Sequence, residues 1–212
     1  MNKLFTGLFI CFATFSYAQD ITNNPFGKGL INLISKDSSW STKVAFRFQS
    51  RLDGTYDFND TSFSNKGYIR RARIKGSGFA FSPKITYKFE YDVANGYVLD
   101  AVLKWNFAGN WSVWFGQTKL PGNIERVFSS QKMQLVDRSL LNSNFTLDRD
   151  AGFQLRHHFK LGKTFLLREK FAVSQGEGLN QTGASSGNDY TARIELLPFG
   201  EFNKKGDYFA SD

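Results

Sequence analysis

From residue 42 the chain alternates polar and apolar side chains with a period of two. Val44, Phe46, Phe48 and Leu52 share one parity; Lys43, Arg47, Gln49, Arg51 and Asp53 share the other. Successive side chains of a strand point to opposite faces, so this spacing predicts a β-strand with one greasy and one charged surface. Residues 68–81 repeat it, with Ala72, Ile74, Gly76, Gly78 and Ala80 opposite Arg71, Arg73, Lys75 and Ser77. Residues 84–94 set Ile85, Tyr87, Phe89 and Tyr91 against Lys84, Thr86, Lys88, Glu90 and Asp92. Residues 97–107 set Leu99, Ala101, Leu103, Trp105 and Phe107 against Asp100, Val102, Lys104 and Asn106. Residues 111–118, 145–160, 164–174 and 190–197 continue the theme, making eight predicted strands. Their length, roughly ten residues, is what a tilted strand needs to cross the hydrocarbon of a bilayer.

The gaps carry their own pattern. Residues 54–67 form a long connection, Ser82-Pro83 a tight one, and residues 108–110 another tight one. Residues 119–144 are very long, 161–163 tight, and 175–189 long and Gly-rich. Every second turn is short, as in a membrane barrel with short periplasmic turns and longer external loops. Asn95-Gly96, a two-residue hairpin signal on the long-loop side, is the exception. Residues 30–34 read either as a short extra strand or as a periplasmic lead-in.

Alternation fits a soluble sandwich with its apolar face inward as well as a pore with its apolar face in lipid. Three features favour the pore. Tyr68, Tyr91, Tyr97, Trp105, Phe107 and Trp111 fall near strand ends, where interfacial aromatic girdles sit. Small residues on the apolar parity would leave voids in a packed core but not against fluid lipid. The polar parity is charged along whole strands. The expectation is an all-β, antiparallel transmembrane β-barrel; the alternative is a secreted β-sandwich that binds carbohydrate through exposed aromatics. Two residues break the pattern. Arg70 lies near an outer strand end, where it can meet lipopolysaccharide phosphate, and Glu169 implies a bulge or a slipped register.

Composition narrows the class further. Aromatics make up 17% of the 212 residues, which excludes a disordered chain. No long apolar run interrupts the body of the sequence, which excludes helical membrane spans. Residues 1–18 read as a secretory signal, with Lys3 before an apolar stretch and Ser16-Tyr17-Ala18 before the cleavage point. The single cysteine, Cys11, lies within it, so disulfides and cysteine metal sites are excluded from the mature chain. The expected layout is a signal peptide at 1–18, a lead-in at 19–41, and the N-terminal half of a barrel at 42–212 with loop 119–144 folded inward.

Lys and Arg number 27 against 19 acids. On the charged parity alone there are fourteen Lys and Arg against Asp53, Glu90, Asp92, Asp100 and Glu195. In a narrow lumen with low-dielectric walls such a surplus concentrates anions, and Arg suits phosphate through its bidentate donors. The candidate anion-binding residues of the wall are Arg47, Arg51, Arg71, Arg73, Lys75, Lys88, Lys104 and Arg156, with Arg70 adjacent. Loop 119–144 is too apolar to wave in solvent. Folded inward it would present Arg126, Lys132 and Arg138 to the passage; an external flap on a neighbouring subunit is the other possibility. Nucleic acid, the other usual partner of a basic aromatic chain, is excluded by the secretion signal.

Enzyme signals are weak, and no metal or other cofactor is expected. Gly162-Lys163-Thr164 lacks the first glycine of a phosphate loop and reads as a hairpin turn. His157 and His158 point to opposite faces and cannot chelate together. Asp148 and Asp150 share a parity, but no nucleophile or base accompanies them.

Several stretches together resemble the phosphate-selective porin O and P family: Tyr68-Ile69-Arg70-Arg71-Ala72-Arg73, Gly116-Gln117-Thr118-Lys119-Leu120-Pro121, Glu125, Ser129-Ser130, Asp137-Arg138 and Arg149-Asp150-Ala151-Gly152. The resemblance runs from about residue 40 to the end. It implies a sixteen-stranded homotrimeric channel in the outer membrane of a Gram-negative bacterium, in contact with lipid and lipopolysaccharide. It also implies an inward-folded third long loop and a ladder of basic residues for small anions such as phosphate, or polyphosphate. Arg71 and Arg73, with Arg70, lie in the matching motif. Eight strands are half of that number, and the chain stops at Tyr208-Phe209-Ala210-Ser211-Asp212 without a closing aromatic strand. The expectation is an N-terminal fragment that would not conduct alone.

Overall fold

The computed structural model describes residues 19–21, 31–130, 132–133, 135, 137–183 and 186–201. The signal expected over residues 1–18 and the closing segment 208–212 lie outside the described residues. The chain divides into two compact units, residues 1–97 and 98–212.

The first unit is an antiparallel meander in which each strand pairs with the next: β1 (Gln19–Ile21), β2 (Ile31–Ser35), β3 (Trp40–Asp57), β4 (Ser62–Ala80) and β5 (Ser82–Asp92). The segment whose reading stood open is therefore a strand, with Leu33 opposite Thr42. The second unit holds a further meander: β6 (Tyr97–Ala108), β7 (Trp111–Lys119), β8 (Arg149–Leu161), β9 (Phe165–Ser174) and β10 (Asp189–Leu197). The all-β, antiparallel expectation holds, with ten strands among the described residues where the alternation predicted eight.

Turn lengths segregate as expected in one of the two units, the second. There, residues 109–110 and 162–164 close one end, and the long segments 120–148 and 175–188 close the other. Gly109 and Gly162 supply the positive φ (63° and 66°) that such tight hairpins require. The expected long loop 54–67 is not one. Pairing continues to Asp57 opposite Ser62, leaving a turn of residues 58–61. Ladder hydrogen bonds form between backbones whatever the side chains, so the small polar residues there did not signal a strand.

Sidedness is the decisive feature. Phe46 and Phe48 are 59% and 68% exposed, whereas Arg47 between them is 9% exposed. Among the described residues thirteen polar or charged side chains are buried against only five apolar ones. This inverts a soluble sandwich, whose alternating strands would bury the phenylalanines and expose the arginine. The long cationic side chains instead lie across one another on the polar face.

One irregularity sets where that face runs. Gln49 pairs with Arg71 but Ser50 pairs with Ile69, so Arg70 is the extra residue of a β-bulge. Beyond it Tyr68 pairs with Arg51 and Lys66 with Asp53, which places Tyr68 on the charged face rather than in an aromatic girdle. The Tyr68 hydroxyl donates to Asp53 Oδ2 at 3.1 Å, and Lys66 Nζ stands 5.4 Å from its ring centre. The bulge suspected at Glu169 is absent: Glu169 stays in register opposite His157. Its carboxylate is 2.9 Å from His157 Nδ1, which satisfies it on the apolar face, and His157 stacks on Trp111 at 4.0 Å.

Candidate functional site

In the first unit the register stacks the charged parity into rows. Arg47 is opposite Arg73, which is opposite Asp92; Lys75 is opposite Glu90; Ser77 is opposite Lys88. Arg73 is clamped by two acids, Nη1 to Glu90 Oε1 at 3.0 Å and Nε to Asp92 Oδ2 at 3.1 Å. Glu90 also takes Lys88 at 3.1 Å and Lys75 at 3.9 Å. Arg71 and Arg47 share an acceptor. Both donate to the amide oxygen of Gln49, at 2.7 and 3.1 Å, so two guanidinium groups converge on one neutral acceptor. Arg51 pairs with Asp53. The structure thus brings Arg47, Arg71, Arg73, Lys75 and Lys88 into one cluster, with Arg70 at the bulge and Arg51 one row further along.

The second unit carries another row, in which Arg156 is opposite Lys170 and Lys170 opposite Arg193. Glu195 takes Lys170, Arg193 at 2.9 Å and Arg168 at 3.7 Å. Arg156 lies 3.5 Å from the centre of the Trp114 ring, and Lys104 Nζ lies 3.9 Å from the same ring.

The long segment between β7 and β8 contains two short helices, α1 (Ile124–Val127) and α2 (Leu140–Asn144). Asn123 and Ser139 accept from the Arg126 and Asn142 amides and cap them. Glu125 ties the two together, accepting from Ser139 N and Oγ at 2.6 and 2.7 Å; these bonds hold its carboxyl below the ordinary 4.5. The last carbonyls of α1 face cations: Lys119 Nζ donates to Arg126 O, Val127 O and Phe128 O at 2.7, 3.3 and 3.0 Å. Arg138 donates to Glu125 O and Phe128 O at 3.1 and 2.9 Å, and Arg126 engages Asp148 with both Nε and Nη2. Arg126 and Arg138 therefore brace the loop itself, whereas Lys132 is exposed on it.

Two contacts secure the base of the loop, the first between the strands that flank it and β6, the second to the loop itself. Arg149 Nε and Nη2 each lie 3.3 Å from the carboxylate of Asp100, which Thr118 Oγ1 also approaches at 2.8 Å. Arg193 Nη1 donates to the Gly122 carbonyl at 2.6 Å. Arg193 belongs to the charged face of β10, so the loop begins on that side of the strands.

Sequence reasoning missed Gln49, Gln154, Trp114 and Lys119 as parts of these clusters. The first three share the parity of the lumen cations, which was the available signal. Lys119 carried none, because its partners are backbone carbonyls. The carboxylates of Asp148 and Asp150 are both consumed structurally, Asp148 by Arg126 and Arg149, Asp150 by the amides of Ala151 and Gly176. Among the described residues no group of side chains fits a metal ion.

No curated protein matched the chain. The family model for phosphate-selective porin O and P matches residues 43–202, which takes in β4 to β10, nearly all of β3 and the whole braced loop. Cations on the sheltered parity and phenylalanines on the exposed one are the sidedness that such a channel requires, and the chain belongs to the phosphate-selective porin O and P family.

Proposed function

We propose that this porin forms a passive channel in the outer membrane of a Gram-negative bacterium, and that its basic lumen favours small anions, phosphate or polyphosphate among them. The observation that carries the reading is the cluster of Arg47, Arg71 and Arg73 on the sheltered face. Arg47, Arg71 and Arg73, with Lys75 and Lys88 in the adjoining rows, outnumber Glu90 and Asp92, so the formal charge of these rows is positive. Low-dielectric walls strengthen the field of such a surplus and raise the local anion concentration. The loop between β7 and β8 begins on the charged face of the second unit, tethered to Arg193, where folding inward would narrow the passage. The wall residues Arg51, Lys75, Lys88, Lys104 and Arg156 extend the basic path, and Lys132 is the loop cation exposed to solute.

Reversal potentials of the full-length protein in planar bilayers test this. Anion preference is expected, and Arg71→Glu combined with Arg73→Glu should weaken or reverse it. A cation-preferring wild type, or a double variant with unchanged selectivity, overturns the reading.

A further inference from the structure

We propose that Trp114 is a positioning residue for an anion subsite, holding Arg156 and Lys104 on the charged face without cancelling their charge. The inference rests on the anion reading above and adds to it an uncharged residue on the wall of the second unit.

A lumen cation can be held in place in two ways. An acid clamp, as at Arg73, fixes the guanidinium but neutralises it. An aromatic clamp attracts the cation through the negative face of the ring and adds no charge. Arg156 is held in the second way. Its guanidinium carbon is 3.5 Å from the Trp114 ring centre, and Nε and Nη2 donate to the neutral Gln154 Oε1 at 3.2 and 2.6 Å. Among the described residues Arg156 makes no hydrogen bond to a carboxylate. The acid whose field reaches it, Glu195, is engaged by Lys170, Arg193 and Arg168.

The register builds this arrangement. Lys104 and Gln154 flank Trp114 directly on β6 and β8, so the indole lies between them on the charged face. Arg156 sits one row away, opposite Ser112, whose small side chain leaves room for the guanidinium to lean back over the ring. The ring adds no opposing charge to either cation, and both lose rotamer freedom before an anion arrives. Such preorganisation strengthens binding because the ordering cost is met in the empty protein.

The test uses inorganic phosphate and the full-length protein in planar bilayers, reading phosphate block of the chloride current. Trp114→Leu should raise the half-blocking phosphate concentration about three- to tenfold, and Trp114→Phe, which keeps an aromatic face, should recover most of the loss. Equal half-blocking concentrations for wild type and Trp114→Leu, in a channel that still prefers anions, overturn this inference and leave the channel reading standing. A wild type without anion preference overturns both. Should Trp114→Leu fail to fold, as judged by heat-modifiable gel migration, tryptophan emission decides. The phosphate-dependent change present in wild type and absent in Trp114→Phe should also vanish in Arg156→Gln. No phosphate-dependent difference between wild type and Trp114→Phe overturns the inference.

Discussion

Tyr87 on β5 reaches over Gly78 on β4 to touch β3: its hydroxyl is 2.6 Å from Thr42 Oγ1 and 3.1 Å from the Ser41 carbonyl. The small residues on the apolar face are therefore not vacant ground facing lipid, at least here. Gly78 is the gap through which a tyrosine ties three strands together, and a Cβ there would overlap the Ser41 carbonyl. Tyr87→Phe should cost about 1–3 kcal/mol by removing two hydrogen bonds and leaving their partners unmet. Gly78→Ala should be worse, since it forces backbone apart. Urea midpoints in lipid vesicles measure both; a Gly78→Ala variant as stable as wild type would show that the strands can part without penalty.

The pair Arg149 and Asp100 is almost wholly enclosed, with 6% and 1% of the side chains exposed. Removing one partner strands the other charge, so Arg149→Met should destabilise by about 3–5 kcal/mol. Joint replacement with Asp100→Leu should restore much of the loss, because neither charge then remains to be solvated. A double-mutant cycle of unfolding free energies reads the difference; additive losses would exclude the coupling.

Lys119 binds three successive carbonyls at the end of α1 much as a bound metal cation would. Lys119→Met should free that end of the loop without touching the wall cations. The expected result is a noisier single-channel trace with selectivity retained. A quiet trace would show that Arg138 and the Asp148 pair suffice to hold the loop.

Protonation should act on the same loop through Glu125. Its carboxyl is lowered below the ordinary 4.5, first by the Ser139 hydroxyl and then by the Ser139 amide. A lowered carboxylate stabilises the fold fully above its unfolded value and loses that contribution as pH falls through the folded one. Proteolytic protection of the loop by an acid-active protease should thus be constant from neutrality to about pH 5 and decline below the ordinary carboxyl range. Glu125→Gln should flatten that decline.

The alternation that separates Phe46 and Phe48 from Arg47 was legible because strand geometry admits only two faces. Which of them is sheltered could be argued from Arg and aromatic placement, and the structure agrees. Tyr68 was misplaced because its face depends on a register shift, and nothing in the Arg70-Arg71 pair says which residue is left unpaired. Arg126 and Arg138 were expected at the passage, yet their partners, Asp148 and the carbonyls of α1, lie ten or more residues away in sequence. Periodicity carries local orientation; it does not carry the meeting of distant loop segments.

The bulge at Arg70 makes deletion and substitution different experiments. Arg70→Ala removes a charge and leaves every other neighbour where it was. Excising the residue would also remove the kink: Ile69 and Arg71 become consecutive, the alternation runs straight through, and Tyr68 and Lys66 stay opposite Arg51 and Asp53 on the wet side, so the deletion probes the bend itself and the substitution only the charge.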